Sequence, residues 1–442
     1  MKTTVTTTTN NTAALPMLKV DGIERFVPAS ETIAFARPLA ESLGVTRLAD
    51  ITGLDRVGIP VYSAVVPDSP DALSVYNGKG VRPVDAKAGA LMEAIERQLV
   101  LKTRLPLVEA SFAHLSRRAR ASNQSAAVLD PRSINSRLAA SYSEDRPCSW
   151  CEGLDIVSGQ PCHVPARLAG YLWRDVPHPS CFAKTDSNGL ASGNSREEAI
   201  CHALCELAER DSWTFVELGA HVMPRARRSF ALGPHARSGP DDLEIFPCVD
   251  LGAHELLVKF HAANLFPIVR NITSALGIPA FFATMSDESI TGYPMAHCGL
   301  GAHPNAEVAV RRALLELAQS RCVDIQAVRE DITPPGATRG RFSPHTRRID
   351  SINRHSWYHA PSKHLRKLAD IPSHAFPTIE EDLQFLLDRF RAAGLDQIIV
   401  VDFTPNATAY SVVRVIVPGI ENWALDHGRF GPRALAFWKQ HA

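Results

Sequence analysis

The chain has 442 residues, 45% of them hydrophobic, with 47 Lys+Arg balancing 47 Asp+Glu. That length buries a sizeable core, and a formal charge of zero leaves no long-range field drawing the whole chain to nucleic acid or an anionic membrane. No apolar run is long enough to span a bilayer, the start MKTTVTTTTNNTAALPML lacks a secretory-type apolar core, and nine thinly spread cysteines suit reduced thiols, so a cytoplasmic globular protein is expected.

Residues 1–30 open Thr/Asn-rich and read as a disordered tail. Pro38–Asp68 gives a short helix ending at Gly44, then apolar stretches split by Gly53, Gly58 and Pro60 that read as strands and turns. Gly78-Lys79-Gly80 reads as a glycine turn carrying a lysine. The helix beyond it has Ala88, Leu91, Met92, Ile95 and Leu99 as its apolar stripe. Glu93 and Arg97 lie within about 40° on that helix, with Glu96 beside them. Alone, such a pair is ordinary helix decoration. Residues near 105–145 read as a variable, partly exposed region. Cys148 and Cys151 form a CxxC, with Cys162 and Cys181 following. Four thiolates for zinc are conceivable, but the second pair is no CxxC, and buried thiols are the preferred reading. Trp150–Tyr171 reads as a hairpin and a helix start.

Lys184–Phe215 reads KTDSNGLASGNSREEAICHALCELAERDSWTF. Gly189 and Gly193 bracket a polar loop able to bring backbone N–H groups close to a ligand. Ser195 and Glu198 read as a capping box that starts a helix. On it, Glu198, His202, Glu206 and Glu209 fall within about 80°. Carboxylates so placed repel one another. A divalent cation would resolve this, and oxygen-preferring Mg2+ bridging to nucleotide phosphates is the natural candidate. A solvated helix face behind an ordinary turn accounts for the same residues, and this stretch alone leaves both readings open. Glu206-Leu-Ala-Glu209-Arg210 does, however, repeat the phrase Glu93-Ala-Ile-Glu96-Arg97. Cys201 and Cys205, one turn apart, read as packing residues.

Residues near 222–245 read as a linker or loop, and Leu256–Met285 as further strands. His303–Glu330 gives a third helix with Arg312, Glu316 and Gln319 within about 60°. Residues near 333–375 are loop-rich. Glu380–Ala393 is an amphipathic helix, and Gln397–Phe403 and Tyr410–Val417 are the clearest strands. Arg414 sits inside the second, so its guanidinium is either paired or aimed into a pocket. Residues 431–442 read as a C-terminal tail. The chain has no GxxxxGK[ST], no GxGxxG after a strand, no kinase HRD or DFG and no HExxH, which disfavours an ordinary kinase or ATP-grasp enzyme.

Five ordered segments carry a resemblance. They are Thr52-Gly53-Leu54-Asp55-Arg56-Val57-Gly58-Ile59-Pro60; Gly78-Lys79-Gly80 with Glu93, Glu96 and Arg97; Ser187-Asn188-Gly189-Leu190-Ala191 through Glu198, Glu206, Glu209, Arg210 and Asp211; Arg312, Glu316 and Gln319; and VVRVIVPGIE at Val412–Glu421. Together they resemble the YcaO domain family. The resemblance implies a single α/β (α+β) catalytic domain over 31–430, with sheets flanked by helices and ATP held among three of them. It implies ATP-dependent modification of a precursor peptide's backbone amide, with ATP and Mg2+ as cofactors. Glu206, Glu209, Arg210 and Arg312 would be catalytic. Lys79, Glu93, Glu96, Arg97, Ser187, Asn188, Glu198, Glu206, Arg312, Glu316 and Gln319 would bind the nucleotide. The carboxylates of Glu93, Glu96, Glu198, Glu206, Glu209 and Glu316 would hold metal. Gly89 departs from the family's usual serine four residues before the first Glu. The end FWKQHA lacks the proline-rich tail of many azoline-forming members, and no fused partner domain is expected. Both departures point to a separate partner, with TfuA-assisted thioamide formation ahead of azoline or amidine formation. The expected partners are a precursor peptide, a TfuA-like or leader-binding protein and a second copy of the chain. A binding scaffold with a vestigial nucleotide site is the rival from another class, disfavoured by the intact acids.

Overall fold

The computed structural model describes residues 16–20, 24–67, 69–71, 74–121, 126–171, 173, 176–222, 248–249, 252–287, 295–327, 364–406 and 409–441. The loops expected near 222–245 and 333–375 fall largely outside these residues, as does the start of the Thr/Asn-rich segment.

Helix α1 (Ala29–Ser42) leads into the antiparallel sheet of β1 (Arg47–Asp50), β2 (Val61–Val65) and β3 (Val75–Lys79), followed by α2 (Pro83–Lys102). Next come β4 (Val108–Ser111), α3 (Phe112–Ala121), β5 (Ala127–Val128), the hairpin of β6 (Pro147–Asp155) and β7 (Gln160–Pro165), and α4 (Ala166–Ala169). Strand β8 (Leu190–Gly193) then feeds the long α5 (Arg196–Glu217). Further on lie β9 (Cys248–Val249), α6 (His254–Ala262), the antiparallel sheet β10 (Ile268–Asn271), β11 (Ala280–Asp287) and β12 (Met295–Ala302), and α7 (Ala306–Ala327). The last elements are β13 (Arg366–Lys367), α8 (Ile379–Ala392), β14 (Ile399–Asp402), β15 (Ser411–Ile416), α9 (Trp423–Asp426) and α10 (Pro432–His441). A seven-stranded sheet runs β5-β7-β6-β14-β15-β8, with β4 also paired to β6.

Strands β14 and β15 are Val/Ile-rich because the sheet is covered on both faces. Ile399, Val401, Val412 and Ile416 pack into a core with α1 and α2, while Val400, Val413 and Val415 pack against α5 and α8. That is the period of two that a strand imposes on its side chains. A further core lies between α6, α7 and the sheet β10–β12. Among the described residues no helix is long and apolar enough to cross a membrane.

Several expectations are corrected. Leu256 lies on α6 rather than a strand: Leu256 and Phe260, four apart, share a buried face while Glu255 and Lys259 face outward. Gly78 belongs to β3 rather than to a turn. Residues 432–441 form helix α10, whose Arg433 reaches back to the fully buried Asp211 on α5. Glu421 fixes its start, accepting from the Gly431 and Ala434 N–H groups at 2.9 Å each. Cys148, Cys151, Cys162 and Cys181 are all buried thiols, with Cys148 and Cys181 sulfurs 3.1 Å apart.

Candidate functional site

Three strand–helix units build the site: β3–α2, β8–α5 and β12–α7. Each strand carries glycine where its helix lies closest. A Cβ on Gly78 would overlap the Ala86 carbonyl and Ala90 nitrogen. One on Gly299 or Gly301 would strike the backbone of α7 at Ala313 or Ala309, and one on Gly193 would sit 2.6 Å from the Ala199 nitrogen. Each helix also packs on the next unit's strand: α2 on β8, α5 on β12, α7 on β3. The units therefore close into a ring, and their helices turn carboxylates toward its centre.

Glu93 and Glu96 enter from α2, Glu206 and Glu209 from α5, and Glu316 from α7. Lys79, at the end of β3, donates to Glu316 Oε2 at 2.9 Å. Arg97 Nε lies 3.7 Å from Glu96, and Arg210 Nη1 3.4 Å from Glu209. The backbone holds two of the acids in place. The Asn77 N–H donates to Glu93 and the Gly189 N–H to Glu206, both at 3.1 Å. Gly189 takes φ +82°, a left-handed conformation suited to glycine. Ser192 Oγ donates to Glu96 at 3.1 Å, and Arg97 Nη1 donates to the Tyr171 hydroxyl at 3.0 Å.

Burial pushes the Glu96 carboxyl up to about 8; Arg97 opposes this, and Glu93 and Glu206 reinforce it. Burial likewise pushes Glu209 up to about 7, against Arg210 and with Glu316 and Glu206. Glu93 and Glu206 are raised too, chiefly by burial. Only Glu316 is held low: burial acts against it, but Lys79 and Arg210 outweigh burial. The acids outnumber the cations among them, which is the donor set a hard divalent cation fits. The Nε atoms of Arg97 and Arg210 are buried without a hydrogen-bond partner.

A pH dependence follows. The cation-free fold holds protons on Glu96 and Glu209 that an unfolded chain releases near 4.5. Folding therefore binds protons between about 4.5 and 8, and stability falls as pH rises through that window. Melting temperatures across that range, with and without Mg2+, test this. The metal should stabilise most at the alkaline end. A melting temperature that climbs with pH in the absence of metal would refute the arrangement.

Glu198 stands apart from the cluster. Ser195 caps α5 by accepting from the Glu198 N–H at 3.1 Å, but the reciprocal half of the expected capping box does not form. The Glu198 carboxylate instead accepts from Asn194 N–H at 3.2 Å and Nδ2 at 3.1 Å, and from Arg25 at 2.9 Å. Its Oε2 is buried and unpartnered. It lines a small cleft with Arg25, His202, His303 and Arg312. Burial and the nearby Arg25 and Arg312 keep His202 and His303 well below their usual pKa. Arg312 donates to the Ala302 carbonyl at 3.1 Å.

Asn188 is buried and lines a different cavity, beside Arg414. Ser187 is half-buried in the preceding turn, its carbonyl accepting from Leu190 N–H at 2.9 Å. Gln319 is half-buried on α7 about one turn beyond Glu316. Sequence reasoning missed Arg25, Asn194 and Tyr171. Arg25 fell in the segment read as a tail and carried no local signal. Asn194, next to the capping Ser195, could have been found as a polar residue directly before an acid-lined helix.

The profile of the YcaO family, described as a cyclodehydratase that binds ATP and Mg2+, matches residues 77–421. An uncharacterized protein of Methanothermobacter thermautotrophicus is 34% identical over 92% of this chain and 97% of its own length. An uncharacterized protein in the tfuA 3′ region of Rhizobium leguminosarum bv. trifolii is 33% identical over 90% of this chain and 89% of its own. Among solved structures, YcaO from Methanopyrus kandleri bound with AMPPCP and Mg2+ aligns with a TM-score of 0.65 at 24% identity, covering 92% of this chain and 95% of that one. A heterocyclase in complex with substrate and cofactor aligns with a TM-score of 0.70 at 21% identity, covering 93% of this chain and 55% of that one. With the ring of carboxylates described and these matches running nearly its full length, the chain belongs to the YcaO family.

Proposed function

We propose that this protein is an ATP- and Mg2+-dependent enzyme that phosphorylates a backbone amide oxygen of a precursor peptide and installs a thioamide, with a TfuA-like partner supplying sulfur. The observation that carries this is the convergence of Glu93, Glu96, Glu206, Glu209 and Glu316 from three helices on one half-buried centre. Those carboxylates would hold the metal. Bound Mg2+ neutralises and orients phosphate oxygens. Lys79, Arg97, Arg210 and Arg312 add donors for the phosphate charge.

The cavity at Glu198 suits the nucleoside end. The free Glu198 Oε2 is an acceptor without a donor, which a ribose hydroxyl or an exocyclic amine would satisfy. This moves Glu198 from the metal set to the nucleoside contacts, because its other oxygen is already engaged by Arg25 and Asn194.

An amide oxygen is a poor leaving group and its phosphate ester a good one. Hydrosulfide adds to the amide carbon, and the oxygen takes the γ-phosphoryl group as ADP departs. Phosphate then leaves with the sulfur's proton as the C=S bond forms. Phosphoryl transfer of this kind asks the protein mainly for positioning and charge neutralisation. The sulfur arm rests on the relative in the tfuA 3′ region. The family's description as a cyclodehydratase supports ring formation as the second reading. Mass spectrometry of a peptide co-expressed with the enzyme and a TfuA-like protein separates them. A gain of about 16 Da means sulfur for oxygen and a loss of about 18 Da a ring, because the nucleophile sets which atom replaces oxygen. An unmodified peptide in the presence of hydrolysed ATP would defeat both.

A further inference from the structure

Arg414 is only 3% exposed, yet its Nε and Nη1 have no hydrogen-bond partner, and its Nη2 lies 3.6 Å from Asp186 Oδ1, beyond hydrogen-bond reach. It lines a cleft with Asn188, whose chain neighbour Gly189 donates to Glu206 of the acid cluster. The same cleft receives Asn135, Asn188 and Asn422. Each is buried and each has an Oδ1 without a partner. The Asn135 oxygen is fixed as the free atom because its Nδ2 donates to the Ile420 carbonyl at 2.8 Å. Buried groups of this kind are normally satisfied, either by ordered water or by a ligand that displaces it and brings the missing partners.

The pattern of unmet groups defines that ligand. Arg414 offers donors, Asn135 offers an acceptor, and Asn188 and Asn422 each turn a carboxamide into the cleft. An ionised carboxylate only accepts, so it would leave the Asn135 oxygen unmet. A peptide backbone supplies both a C=O and an N–H per unit. Leu168 and Ile420 add an aliphatic wall for its side chains.

We propose that this cleft seats the backbone of the substrate peptide, with Arg414 donating to the carbonyl of the amide that reacts and the Asn135 oxygen accepting from a peptide N–H group. This rests on the reading of the acid cluster as the nucleotide site. The Gly189 N–H bonds Glu206, while Asn188 faces the cavity, so one turn separates the two compartments. Arg414 would then be a catalytic residue, since its donors strengthen as the carbonyl oxygen gains negative charge.

The test starts from short random peptides displayed on mRNA and selected against the Mg·ATP-loaded full chain. The winners, carrying a photoreactive group, are cross-linked to the unmutated protein and mapped. Adducts on Leu168 or Ile420 are expected. Arg414→Gln should weaken the winners by about tenfold or more, with Arg414→Lys recovering part of the loss. Adducts elsewhere, no winners at all, winners held through a side-chain carboxylate, or an affinity within about twofold in Arg414→Gln would each overturn the proposal. The Mg·ATP-induced melting shift is recorded alongside on unmutated protein. Its loss would bring down the nucleotide reading, whereas its presence with misplaced adducts brings down only this one.

Discussion

Glu206→Gln yields a folded protein whose Mg·ATP turnover, with a matched peptide, drops on the order of a hundredfold or more. Glutamine keeps the volume and an oxygen to accept from the Gly189 N–H, which donates at 3.1 Å. What disappears is one negative charge near Glu93 and Glu96 of α2. Glu206 raises the pKa of Glu93, Glu96 and Glu209 alike, so it is the acid felt by most of the cluster. Removing it relieves repulsion in the metal-free protein and strips a ligand from the metal-bound one. The variant should therefore melt higher than the parent without Mg2+ and gain less when Mg·ATP is added. Turnover close to the parent's would show that Glu206 takes no part in the chemistry.

Arg321→Met costs about 3–5 kcal/mol of stability, a larger effect than any surface substitution gives. Arg321 on α7 and Asp55 are both buried and meet through two hydrogen bonds, Nε to Oδ2 at 2.8 Å and Nη2 to Oδ1 at 2.9 Å. Taking away the guanidinium leaves a carboxylate in the interior without its partner. Asp55→Leu combined with Arg321→Met should recover much of the loss, since the unpaired charge is then gone as well. Urea midpoints for the parent, the two single variants and the double variant measure this. A single variant that unfolds at the parent's midpoint would refute the pairing. Through Asp55, the Thr52-Gly53-Leu54-Asp55 phrase ties the first sheet to the third helix of the ring.

The acid-bearing faces of α2, α5 and α7 were readable because a helix writes its faces into sequence with a fixed period. So were β14 and β15, whose Val/Ile-rich runs, interrupted only by Arg414, mark a sheet covered on both sides. Other features depend on distance along the chain. Arg25 reaches Glu198 across 173 residues, and no local pattern in VDGIERFVPA announces it. Glu198, His202, Glu206 and Glu209 look like one row in a helical projection. In space Glu198 is drawn away from the others by Asn194 and Arg25. Gly78 and Gly193 look like loop formers to a local reading, and only the packed helices reveal that they are there for the space they leave. The Arg414 side chain was legible as a question, paired or aimed into a pocket, and both hold: Nη2 faces Asp186 at 3.6 Å, and the side chain lines a cleft with Nε and Nη1 unbonded.

Those bare strand positions have a consequence for how the protein can change over time. At Gly78, Gly299 and Gly301 the helix backbone rests directly on the strand backbone, with no side chain between them. The spacing is thus a hard stop set by main-chain atoms. Exposed positions on the same helices can be exchanged without shifting the inward-facing oxygens by much, whereas any side chain added at these three strand positions would push a helix off its strand and displace them.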